Sequence, residues 1–141
     1  MQITPSEIAQ KIEPALAQDS EIVAAYLFGS AAMNRLRPGS DVDIAILLKR
    51  GDKPLNRKNL LELLLPKLCR ALRMDVHLLF LNDASYLACS QVFKTGELLY
   101  ARDRRELARF HMVSAALFAD FAPYMRMTQI GLQNKLRLGH G

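Results

Sequence analysis

The chain has 141 residues, 50% of them apolar and 23% charged, with a net charge of +5. This is enough apolar material for a buried core without disulfide or metal staples, and it excludes a disordered or fibrous chain. The modest basic excess has acids scattered through it, so it fits an anionic partner and an ordinary soluble surface equally well.

In chain order, Thr4-Pro5-Ser6-Glu7 reads as a helix start, with Thr4 as cap, Pro5 in the first turn and Glu7 at the third helical position. Ile8, Ile12 and Leu16 continue it at helical spacing. The apolar, partly β-branched run 22–28 predicts a first strand, and 41–49 a second. Between them a short helix or turn is expected after Ser30, followed by a polar connector with turn chemistry at Pro38-Gly39. After a loop over 49–54, residues 55–72 form a Leu-rich helix that Pro66 should end or kink. A third strand is expected over 75–81. A helix over 84–94 follows, capped by Asn82-Asp83 and stopped by Thr95-Gly96. The fourth strand is 97–101, and a last helix begins at Arg102 or Asp103 and runs to about Tyr124, with a frayed tail after it. The expectation is one α/β domain spanning 1–141, with a core of about 5–101, a long C-terminal helix of about 102–125 and a tail of 126–141. Its small β-sheet has helices on at least one face.

Cys69 and Cys89 belong to no CxxC or CxxH pattern and read as buried reduced thiols. The N-terminus is polar, with no signal peptide, and no apolar run is long enough to span a bilayer, so a cytoplasmic location is expected.

The chemistry concentrates where the first apolar run stops at Gly29-Ser30 and the second opens with Asp41-Val42-Asp43. Strand side chains alternate, so Asp41 and Asp43 share a face while Val42 and Ile44 enter the core. Two carboxylates on one strand mouth repel, and a hard divalent cation, Mg²⁺ above all, relieves the repulsion. The plainer alternative is that both acids cap loops or pair with Arg35 and Arg37. A strand ending in Gly-Ser before a turn offers backbone N–H groups and a hydroxyl to an anion. On neighbouring strands, the anion cradle and the acid pair would together grip a nucleoside triphosphate through Mg²⁺. Asp75 opens the third strand as Asp41 opens the second, and adjacency of those strands would bring three carboxylates together around two metal ions.

Gly29-Ser30, ten residues, then Asp41-Val42-Asp43, with Asp75 as a third acid, resemble the Gly-Ser…Asp-x-Asp signature of the polymerase β-like nucleotidyltransferases. The order of elements over about 5–101 resembles the minimal nucleotidyltransferases (MNT), commonly antitoxins of HEPN-domain ribonuclease toxins. The resemblance implies a polymerase β-like fold with a small mixed sheet. It also implies Mg²⁺-dependent transfer of AMP from ATP to a hydroxyl, plausibly a tyrosine of the toxin. Gly29 and Ser30 would hold the triphosphate, Asp41 and Asp43 would bind metal, and Asp75 would complete the metal site and favour deprotonation of the acceptor. The expected partners are a HEPN toxin and a nucleoside triphosphate, with no direct nucleic-acid contact and no membrane.

Two other functions stand beside this one. The first is adenylyl transfer to a small hydroxyl compound, as in aminoglycoside-type relatives. Those build the acceptor pocket from a second helical domain, and about forty residues after the fourth strand leave little room for it. The second is an antitoxin that only masks its toxin.

Several residues carry less weight. Arg105 and His111 have the Arg-x5-His spacing that HEPN ribonucleases use, but such pairs are common on helices. His77 shares a strand face with Asp75 and reads first as a neutral histidine packed or hydrogen-bonded at the sheet. Arg35 and Arg37 could reach phosphates or face solvent. Leu107, Phe110, Ser114, Leu117, Phe118 and Phe121 form a stripe that packs on the sheet or, with Met112, Met125 and Met127, meets a partner.

Overall fold

A computed structural model describes residues 3–29, 41–51 and 54–139, with only the backbone described for 54, 55 and 125–139. The elements in order are α1 (Pro5–Ala17), β1 (Ile22–Phe28), β2 (Val42–Leu48), α2 (Pro54–Leu72), β3 (Val76–Phe80), α3 (Tyr86–Thr95), β4 (Glu97–Ala101) and α4 (Arg104–Gly139). The strands make one mixed sheet in the order β3-β2-β1-β4. β1 runs antiparallel to β2 and β4, while β2 and β3 are parallel and joined through α2.

Helices cover both faces of the sheet. On one face Ile8, Ile12 and Leu16 of α1 and Leu64, Leu68 and Leu72 of α2 pack on Val42, Ile44, Ile46 and Leu48 of β2 and Leu27 of β1. On the other, Cys89 and Val92 of α3 and Leu107 of α4 pack on Val23, Ala24, Ala45 and Leu47. A sheet buried on both sides has apolar residues in both alternating sets, which is why β1 and β2 read as continuous apolar runs. Val23 and Ala24 are consecutive yet belong to the same core. The β1–β2 register shifts there, and such a bulge turns two neighbouring side chains to one side.

Thr4 caps α1 as expected, its Oγ1 accepting the Glu7 N–H at 3.2 Å. The cap of α3 differs from the expectation: Ser85 Oγ accepts the Ala88 N–H at 3.1 Å. Asn82 and Asp83 are used elsewhere. Asn82 Oδ1 accepts the Leu48 N–H and its Nδ2 donates to Leu48 O, closing the end of β2. Asp83 pairs with Arg57 of α2. Pro66 neither ends nor divides α2, because its ring lies on the exposed side while Leu64, Leu68 and Leu72 keep the buried stripe continuous. Pro123 is likewise exposed inside α4, which runs on through Gly139 rather than ending near Tyr124 in a frayed tail. The residues after Pro123 are mostly good helix formers, and one missing N–H on the solvent side does not stop them.

Both cysteines are free, Cys89 buried and Cys69 half-buried. No described helix is long and apolar enough to cross a membrane. The turn expected after Ser30 and the connector with Arg35 and Arg37 lie outside the described residues, as do the side chains of Met125 and Met127.

Leu68 is fully buried between α2 and the sheet. Leu68→Ala should therefore cost about 2–5 kcal/mol, read as a lower urea midpoint with an unchanged slope.

Candidate active site

β1 and β2 pair so that Phe28 stands opposite Asp43. Gly29 follows Phe28 with φ +72°, a left-handed conformation that favours glycine. Space favours glycine as well: a Cβ there would run into Asp43 Oδ2 and force that carboxylate to turn. The end of β1 and the carboxylate of β2 are thus in contact, as the expectation of neighbouring strands demands. Ser30, the other half of the Gly-Ser pair, lies outside the described residues.

Asp43 is half-buried on the α3–α4 face, in one row with Phe28 and, across the parallel pairing, His77. Burial pushes the Asp43 carboxyl above its ordinary range. His77 opposes that rise and the nearby Asp41 charge adds to it. His77 Nδ1 lies 3.4 Å from Asp43 Oδ1. Asp41 is exposed just before β2. Asp75 is exposed just before β3, where its carbonyl accepts the Val42 N–H at 2.9 Å. So β3 does run beside β2. The β3 side chain that touches Asp43 is His77, and Asp75 stands one alternation further out, beside Asp41. No group of three or more His, Cys, Asp or Glu side chains is gathered as a metal cluster among the described residues.

A divalent ion suits this donor set. Two carboxylates sit within electrostatic reach at one strand mouth, the partly buried one is held against its preference for water, and glycine leaves open the space where a Cβ would strike it. Beside Gly29, a cleft of about 360 Å³ opens between Phe28 and Leu79 of the sheet and Ala88, Gln91, Val92 and Thr95 of α3. Its size falls in the range of small-molecule sites, about 300–1,000 Å³. His111 is not among the residues that line this cleft. It is exposed, and its ring stacks on Phe93 with centroids 4.1 Å apart.

A strand-end glycine set against a carboxylate pair, on a mixed sheet between helix pairs, is the arrangement of a nucleotidyltransferase. The family model described as Polymerase beta, Nucleotidyltransferase matches residues 10–105, and the chain belongs to that family. It is 37% identical over 75 residues to the protein adenylyltransferase MntA of Shewanella oneidensis. That stretch is 53% of this chain and 51% of the relative, so the match spans about half the relative's length. The fold is similar to that of a chain in the crystal structure of a toxin-antitoxin with AMP-PNP, with a TM-score of 0.73 and 25% identity, over 89% of this chain and 98% of that one. A chain in the complex of tri-AMPylated Shewanella oneidensis HEPN toxin with MNT antitoxin has the same fold, with a TM-score of 0.69 and 24% identity, over 92% and 99% of the two chains.

The raised Asp43 pKa carries a stability consequence. Above its folded pKa the carboxylate is charged in a partly desolvated place, so without metal it weighs against folding. Below the unfolded value the group is protonated in both states and the penalty is gone. Asp43→Asn should raise the thermal midpoint at neutral pH in chelator, and the gain should shrink as pH falls below the folded pKa of Asp43 and be gone below the unfolded value.

Proposed function

We propose that this chain is an MNT antitoxin that transfers AMP from ATP to a hydroxyl, by expectation a tyrosine, of a HEPN-domain toxin, with a divalent ion such as Mg²⁺. The observation that carries the reading is the contact between Gly29 and Asp43, which supports an anion cradle at the end of β1 beside metal-binding acids on β2. The MntA relative's activity and the nucleotide in the similar toxin-antitoxin structure support it. The HEPN class of the toxin follows from the minimal-nucleotidyltransferase resemblance.

In this reading Gly29 and Ser30 offer backbone N–H groups and a hydroxyl to the triphosphate. The cleft beside Gly29 takes the nucleoside. Asp41 and Asp43 would hold the ion, which when bound would neutralise phosphate charge and stabilise the entering and leaving oxygens. The acceptor oxygen forms a bond to the α-phosphorus as the bond to pyrophosphate breaks. Asp75, just before β3, would favour loss of the acceptor proton.

A masking role accompanies transfer. Met112, Val113, Phe121 and Tyr124 leave apolar side chains of α4 exposed, a surface a partner can cover. The two activities separate by mutation.

Asp41→Asn with Asp43→Asn should abolish transfer of label from ATP to co-purified toxin while the circular dichroism spectrum stays that of the parent. Full transfer at ordinary Mg²⁺ would refute the site. Toxin still bound and silenced by the double variant would assign neutralisation to masking. Gly29→Ala should weaken binding of an ATP analogue, because the new methyl group meets Asp43 and the positive φ is strained.

A further inference from the structure

The element that sets this site apart is the residue β3 presents to Asp43. The parallel register pairs Asp43 with His77, so both side chains rise from the same face. Their closest atoms, Nδ1 and Oδ1, are 3.4 Å apart. That is long for an N–H···O hydrogen bond, which falls at about 2.7–3.2 Å. It does suit two donors to one ion. With metal–ligand bonds of about 2.0–2.2 Å, adjacent ligands stand roughly 2.8–3.1 Å apart in octahedral and roughly 3.3–3.6 Å apart in tetrahedral geometry, so the pair meets the wider spacing as it stands and closes by a few tenths of an ångström for the narrower. His77 has a side chain 63% exposed at the open end of the sheet, so neither packing nor burial demands an imidazole there.

We propose that His77 is a direct ligand, together with Asp43, of the divalent ion at the nucleotide site. The resulting mixed carboxylate–imidazole set binds first-row transition ions in preference to Mg²⁺. The inference rests on the nucleotidyltransferase reading above and deepens it. Mg²⁺ is a hard ion that takes oxygen ligands, and an imidazole nitrogen in its shell favours the transition metals instead. Asp75 remains beside Asp41, where it can act on the acceptor without being the third inner ligand.

The test uses Mn²⁺ as a spin probe on the full chain labelled with ¹⁵N-histidine. Electron spin-echo spectra of wild type should carry a directly bound ¹⁵N coupling. His77→Gln should lose that coupling and bind Mn²⁺ more weakly, whereas loss of His111 should change neither. His77→Asp should also lose it, and should lower the preference for Mn²⁺ over Mg²⁺ in competition titrations. A histidine that only orients Asp43 would weaken Mn²⁺ binding on mutation but give no coupling in wild type. Mn²⁺ bound by wild type without ¹⁵N coupling therefore overturns this inference and leaves the nucleotidyltransferase reading standing. Failure of wild type to bind Mn²⁺ at all overturns both.

Discussion

The antiparallel pairing of β1 with β2 is the constraint on which the rest depends. It sets Phe28 against Asp43 and so drives the following residue, Gly29, into the carboxylate. Any side chain at that point would push the strand ends apart or force Asp43 to turn away. With glycine, the end of β1 and a carboxylate of β2 come together at one strand mouth, which is where the proposed reading seats a metal-bound triphosphate.

That mouth is held by a scaffold with little freedom. Both faces of the central strands are covered, by α1 and α2 on one side and α3 and α4 on the other. Asn82 closes the far end of β2 with two hydrogen bonds to Leu48, so the strand that bears Asp43 is anchored at its opposite end. The Asp43 carboxylate itself works against the fold, since burial and the Asp41 charge both raise its pKa. Functional sites commonly carry such strain, and here the well-packed sheet beneath the site sustains it.

The two helix pairs do different work. The α1–α2 side is a closed core of fully buried aliphatic residues. The α3–α4 side is looser: it carries the cleft beside Gly29 and, further along α4, the exposed Met112, Phe121 and Tyr124. Phe121 stacks on Tyr86 of α3 with the rings 7° from parallel, so this apolar surface joins the two helices. The stripe expected on the last helix therefore divides by position. Leu107 and Ser114 are buried, Phe110, Leu117 and Phe118 are half-buried, and Phe121 is exposed.

The sequence by itself determined what is local. β1 and β4 have the bounds their apolar runs predict, Thr4 caps α1, and strand alternation alone puts Asp41 and Asp43 on one face. The Gly-Ser…Asp-x-Asp spacing was enough to name the family. Long-range pairing decided the remainder. Asp75 and His77 are two residues apart on one strand, so alternation gives them the same face and cannot choose between them. Only the parallel register of β3 on β2 sets His77, not Asp75, against Asp43. In the same way Asn82 had the chemistry of a cap, and it was the approach of β2 that drew its amide away and left α3 to Ser85. Sequence records which way a side chain points along its own strand, whereas its neighbour on the next strand is set by how the whole sheet packs.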